Sequence, residues 1–345
     1  MKQKRRIYFV FIMGILFLGT TYYSQAATNL WISLSPFYMS ENVEVTRPVF
    51  FIDKDGDFIH DYNETFINTG ELLGWNFGGR AELGFEVSSS LGLMFGYTGS
   101  FGQAETQYEP TSGLIEPLFG WHPGGSGGFW NTDLPDFEEA EALIMTYDTQ
   151  LHAFDISLFW YLIRKTTCII RARMGPKFFW IKDAMYFDSY DDGFADLNDR
   201  CDLHVDMNNW LYGAQAGLDF FFEVIPGVAF DANLSGGMYA LTGDRELAFR
   251  EYDDDEDTWT INNSYSTFGF FGDIIGGLLI QFSQPVSLRI GYSLIYLTRV
   301  GRSLFQIHPG MGLEEEFEPD DTPPNVSFIG DTFFHGATIT LVFHF

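Results

Sequence analysis

Basic residues are scarce in this 345-residue chain: 19 Lys and Arg face 47 Asp and Glu, a formal net charge of −28. Nucleic acid is excluded as an ordinary partner, because holding phosphates needs a basic surface. Long apolar runs are missing too. Beyond residue 26 no stretch reaches 18 uninterrupted apolar residues, so no membrane-crossing helix is expected in the exported chain. Cysteine is limited to Cys168 and Cys201, and no H-E-x-x-H metal-protease signature occurs. Aromatics, by contrast, are abundant, with 37 Phe and 17 Tyr. A soluble core of this size needs fewer, whereas a surface facing lipid between interfacial aromatic girdles would use them.

The first 26 residues define an export route. Lys2, Lys4, Arg5 and Arg6 form a basic n-region, residues 7–18 are apolar, and Ser24-Gln25-Ala26 is a small-x-small cleavage pattern. This is a secretory signal peptide. A retained anchor needs about 20 apolar residues, and this run breaks at Thr20-Thr21. No cysteine near the cleavage site marks a lipoprotein. Cleavage removes those four basic residues and no acid, leaving residues 27–345 at a formal charge of −32. An exported, aromatic chain without spanning helices has one other way to cross a bilayer, a closed barrel.

The barrel hypothesis requires segments of about 10 residues that alternate apolar and polar, joined in rotation by short turns and long loops. Ten such segments occur, at 30–39, 73–87, 91–101, 146–162, 167–181, 207–223, 228–241, 265–282, 286–300 and 331–345. In the second, Trp75, Phe77, Ala81, Leu83 and Phe85 share one face, and Asn76, Gly78, Arg80, Glu82, Gly84 and Glu86 the other. Four short turns alternate with five long connections, which puts both termini on the periplasmic side. A soluble β-sandwich is the alternative for any single hairpin, but it needs no rotation of loop lengths. The expected fold is all-β: an up-and-down transmembrane antiparallel barrel of about 10 strands with long acidic extracellular loops, in the outer membrane of a diderm bacterium.

The last strand carries a second mark. Ala337, Ile339, Leu341, Phe343 and Phe345 share one face, ending in a terminal aromatic. This alternation is expected to serve as the insertion signal for the barrel-insertion machinery. Several segments together resemble the beta-barrel porin-7 family. They are Phe268-Gly269-Phe270-Phe271-Gly272-Asp273-Ile274-Ile275-Gly276-Gly277, Val286-Ser287-Leu288-Arg289-Ile290-Gly291-Tyr292, Phe333-Phe334-His335-Gly336-Ala337-Thr338 and, upstream, Asn208-Asn209-Trp210-Leu211-Tyr212-Gly213-Ala214-Gln215-Ala216-Gly217. The resemblance covers roughly residues 72–345. It implies an outer-membrane barrel and a porin, with no catalytic or ligand residues.

If the registers hold, Arg80, Glu82, Glu86, Arg171, Arg173, Lys177, Asp219, Asp231, Asp273 and Arg289 point into the lumen. Such side chains decide whether a pore conducts. A barrel this narrow leaves two readings open. It is a small porin or channel for solutes or ions if the charges stand clear. It is a structural or adhesive barrel with a closed lumen, displaying its loops, if they pair.

The loops are dense in acid: five in 133–141, seven from Asp183 to Asp202, six in 251–257 and six in 314–321. They read as a solvated rim, with divalent cations bridging to lipid phosphates as the functional alternative. Asp53-Lys54-Asp55-Gly56-Asp57 lacks the sixth-place glycine and terminal Glu of a calcium loop and reads as a turn. Gly124-Gly125-Ser126-Gly127-Gly128, without the Lys and helix of a phosphate loop, reads as a flexible tip. Catalysis is not expected. His60-Asp61 and His204-x-Asp206 are the nearest to a dyad, and in so acidic a chain a His beside an Asp arises by chance. No cofactor is implied. Cys168 begins a strand near a periplasmic turn and Cys201 falls in the next outer loop, most of the membrane apart, so they are not expected to bond unless that loop folds deep into the lumen.

Overall fold

The computed structural model describes residues 30–43, 48–53, 65–68, 74–109, 114–117, 140–190, 200–252, 258–283, 285–303 and 329–345. The signal peptide expected at 1–26 and the glycine tip at 124–128 lie outside the described residues. So do His60-Asp61, most of the Asp53–Asp57 motif and most of the acid-rich stretches.

Thirteen strands are described: β1 Leu30–Val43, β2 Pro48–Asp53, β3 Thr65–Asn68, β4 Trp75–Glu86, β5 Leu91–Tyr108, β6 Leu114–Pro117, β7 Ala142–Lys165, β8 Cys168–Tyr190, β9 Arg200–Ile225, β10 Val228–Glu251, β11 Thr258–Ser283, β12 Val286–Gly301 and β13 Ile329–His344. Ten of them close into one barrel in the order β1-β13-β12-β11-β10-β9-β8-β7-β5-β4, and β3-β2-β6 form a separate sheet. Every pairing is antiparallel, and β1 joins both β4 and β13, so no barrel edge is left open. That closure satisfies the backbone polar groups a bilayer would otherwise leave bare. Both ends of the barrel, Leu30 and Phe345, meet at the short-turn end, where the Phe345 amide donates to the Leu30 carbonyl at 2.9 Å. Gly227, in the turn between β9 and β10, takes the left-handed φ of 81° that a tight turn asks of glycine.

The side-chain alternation sorts two environments. Around the lower barrel the outward residues are apolar and exposed, Phe77 at 67% and Phe268 at 70% among them, a band suited to lipid. Its far edge is marked by stacked aromatics: Tyr38 on Trp75, and His152 on Trp180 on Trp210, with ring centroids 4.8 to 5.5 Å apart. Ala337, Ile339, Leu341, Phe343 and Phe345 occupy the outward rows of this band at β13. Inward glycines make room for lumen aromatics: Phe37 packs on Gly78 and Phe159 on Gly92.

The strand bounds correct the sequence reading: β2 and β3 lie in the polar stretch expected before residue 70, the expected loop 102–144 holds the end of β5, all of β6 and the start of β7, and two later loops are largely strand. Residues 182–206 and 242–264 were expected to be loops, yet β8 runs to Tyr190, β9 starts at Arg200, β10 runs to Glu251 and β11 starts at Thr258. β7 to β11 have 23 to 26 residues each, against 12 to 16 in β12, β13, β1 and β4. A tilted strand crosses a bilayer in about 9–11 residues. The five long strands therefore stand as a tall wall above it. Asp188, Asp202 and Asp206 belong to this wall and take its outward positions, because outside the bilayer polar residues can face water. Cys168 is paired across the sheet with Phe222, whereas Cys201 is paired with Ser189. From residue 168 to 189 the strand climbs about 70 Å, so no disulfide can join the two.

Candidate functional site in the lumen

All ten charges anticipated for the lumen lie on its inward surface. Arg80, Glu86, Arg173, Lys177, Asp219, Asp273 and Arg289 are buried, and Glu82, Arg171 and Asp231 line a cavity. Five are basic and five acidic; eight of them pair with one another, Glu86 pairs with Arg164, and Glu82 accepts from Ser33 Oγ at 3.0 Å. At the centre Asp273 accepts from Arg80 Nη2 with both carboxylate oxygens, at 2.8 and 2.7 Å, and from Lys177 Nζ at 2.7 Å. Their side chains are 4%, 7% and 3% exposed. Arg80 Nε also donates to Thr98 Oγ1 at 2.9 Å. A carboxylate shared by a two-point guanidinium contact and an ammonium has its charge fully met.

Towards the short-turn end the lumen widens into a cavity of about 460 Å³. Asp219 lies 3.4 Å from Arg171 and 3.5 Å from Arg173, and Arg173 also donates to Asn233. Arg289 donates to Asp231 at 2.6 Å, and Arg164 meets Glu86 at 2.9 Å. The Arg171 guanidinium also sits against the rings of Trp31 and Phe159, at 4.9 and 5.3 Å.

On its other side the ionic centre abuts an apolar layer. Lys177 Nζ lies 5.2 and 5.3 Å from the Phe179 and Phe271 rings, which touch edge to face at 5.2 Å. With Phe37, Met39, Leu151, Leu211, Tyr239, Ile295 and Phe334 they form a cluster whose members are 0 to 4% exposed. Beyond it, Arg302 lies over the Phe334 ring at 5.6 Å and reaches Glu41 and Asp183. The lumen thus reads, from the short-turn end, as a charged cup, an ionic bridge, an apolar layer and a second ionic cluster.

Sequence reasoning missed that second cluster. Glu41, Tyr147, Asp183 and Arg302 come from four separate places in the chain. Only the inward positions of Glu41, Tyr147 and Asp183 in their strands' alternation could have hinted at it. The His204–Asp206 pair is present at 3.4 Å, on the outward face of the tall wall, with the His204 ring stacked on Tyr186 at 4.2 Å. The pair is remote from the lumen. The described residues contain no group of three or more His, Cys, Asp and Glu able to hold a metal ion.

A closed antiparallel barrel with an apolar outward band defines a transmembrane β-barrel of the outer-membrane kind. No protein-family model matches the chain, and no curated protein sequence does. Among solved structures it is similar to a major outer membrane protein of Thermus thermophilus, with 10% identity and TM-score 0.35 over 93% of this chain and 100% of that one. It is similar also to the outer membrane protease OmpT of Escherichia coli, with 11% identity and TM-score 0.42 over 95% and 99% of the two chains. A FadL homologue of Pseudomonas aeruginosa matches at 8% identity and TM-score 0.32, over 91% and 90%. These likenesses are remote, and the class rests on strand pairing and the outward band.

Proposed function

We propose that the chain is a closed barrel of the bacterial outer membrane, exported by residues 1–26, that anchors and displays an acidic outer surface. The observation that carries this reading is the pairing of the lumen charges beneath a packed apolar layer. An ion entering from the cup meets the Arg80–Asp273–Lys177 bridge and then a layer too apolar to hold water, and hydrophobic constrictions block conduction by staying dry. A narrow channel is the second reading, favoured by the cup of about 460 Å³, which admits water and solute to the lower lumen. Membership of the beta-barrel porin-7 family belongs with that second reading.

In the closed-barrel reading the display is structural and involves no catalysis. The outward alternation ending at Phe345 serves the insertion machinery, and divalent cations link the acidic surface to lipid phosphates. A liposome-swelling assay with arabinose tests the main reading. Vesicles carrying the inserted barrel should swell no faster than protein-free ones. Swelling that quickens further with Arg80→Ala would overturn it in favour of the channel.

A further inference from the structure

The end of β12 departs from the behaviour of a wall strand. Its register to β13 shifts between Leu297 and Val300, and Arg299 there is the one non-glycine among the described residues with a positive φ, 57°. Val300 and Gly301 still pair with β13, but the chain has turned across the lumen. The Gly301 amide donates to Asn209 Oδ1 of β9 at 3.2 Å and to Tyr265 Oη of β11 at 2.9 Å. Its carbonyl accepts from Asn209 Nδ2 at 2.8 Å. A Cβ at residue 301 would fall on Tyr265 Oη and Met207 Cε, so any other residue must push these side-chain ends aside to make this approach.

Arg302 then enters the interior with no exposed surface. Its Nε donates to Asp183 Oδ2 of β8 at 3.0 Å, and its Nη2 to Glu41 of β1 and to Tyr147 and Thr149 of β7. Ser303 adds two bonds to the same Asp183 oxygen, from its amide at 3.0 Å and its hydroxyl at 3.1 Å. Beyond the pairing with β13, residues 300–303 therefore tie β12 to β1, β7, β8, β9 and β11 across the lumen.

We propose that residues 300–303 are a strap that bolts the outer lumen shut through Arg302, and that undocking it admits water and cations to Glu41 and Asp183. This rests on the closed-barrel reading. A single buried cation serves two carboxylates that are 1% and 0% exposed. Withdrawing it leaves two carboxylates unpaired in an apolar interior, which must either take up protons or draw in water, and water entry is the outcome we infer at neutral pH. The docked lumen is dry and the undocked lumen is wet, so the strap has two states rather than a continuum.

The test places a reporter in the apolar layer. Leu151 is 1% exposed and follows Thr149 on the inward face of β7. Leu151→Cys, with Cys168→Ser and Cys201→Ser, is inserted in liposomes and labelled with trimethylammonium-ethyl methanethiosulfonate, a small water-soluble cation. Arg302→Ala should speed labelling about 100-fold, as expected for breaking a buried pair. Gly301→Ala, which prises the strap off and leaves its charges in place, should speed it too. If Arg302→Ala does not insert, Gly301→Ala decides. Parental rates in the inserted variants, with the β-sheet circular dichroism intact, would overturn the strap. Fast labelling in the reporter parent would instead overturn the closed-barrel reading on which the strap rests.

Discussion

The lower and upper halves of β7 to β11 are the same strands in opposite phase. In the lower half apolar side chains face out and charges face in. In the upper half Asp244, Glu246, Asn262 and Ser264 face outward and are exposed, while Met185, Phe187, Leu203, Val205 and Leu247 face inward at 0 to 1% exposure. The period of two never changes, because it belongs to the pleat. What changes is the medium outside: lipid below the Trp180–Trp210 girdle and water above it. One strand can thus serve as a membrane wall and as a water-soluble barrel wall, and the crossover falls at the aromatic girdle.

The strongest way to break this comparison is to remove a charge from the lower interior. Asp273→Ala leaves Arg80 and Lys177 buried and uncompensated and should cost about 3–5 kcal/mol, read from guanidinium unfolding in liposomes. Phe187→Ala in the upper interior should cost a comparable amount, about 3–5 kcal/mol, if that interior is a packed core. A loss below about 1 kcal/mol would show that the upper wall packs on nothing. Arginine then maps the phase change. Ile274→Arg, on the outward lower face, should cost about 2–4 kcal/mol in the bilayer. Glu246→Arg, on the outward upper face, should stay within about 0.5 kcal/mol.

The smallest effect concerns pH. Asp188 stands opposite Asp202 near the top of the tall hairpin, well above the girdle. Burial and the facing Asp202 push its pKa up to about 7, with Glu105 acting the same way and Arg200 against it. The folded pKa lies above the ordinary aspartate value of 3.8. The protonated acid therefore favours the folded hairpin below pH 3.8, and that contribution is lost as pH rises through about 7. Like charges placed directly opposite one another open the rung. Amide exchange at the β8–β9 tip, corrected for intrinsic rate, should speed up between about pH 5 and about pH 8, and Asp188→Asn should flatten the profile.

The lower barrel was legible because membrane strands pair two signals, a period of two and an apolar face turned outward. Residues 73–87 show both, and β4 follows within two residues. The tall wall was not legible, because at Lys182 and Asp206 acids and polar residues arrive on the side where apolar ones had been. Such a change looks like a loop unless the inward series Ile181, Asp183, Met185 and Phe187 is followed past it. The ten lumen charges could be placed by alternation alone, but their pairing could not. Arg80 and Asp273 are 193 positions apart, and Arg302 is 261 from Glu41. Closure of the barrel, which no local pattern encodes, brings each pair together.

Current through the purified barrel in a planar bilayer tests the central claim most directly. The sealed lumen predicts no discrete conductance steps after insertion has been verified, at any voltage the bilayer survives. Reproducible steps whose size or ion preference changes with Arg171→Ala or Arg173→Ala would contradict it.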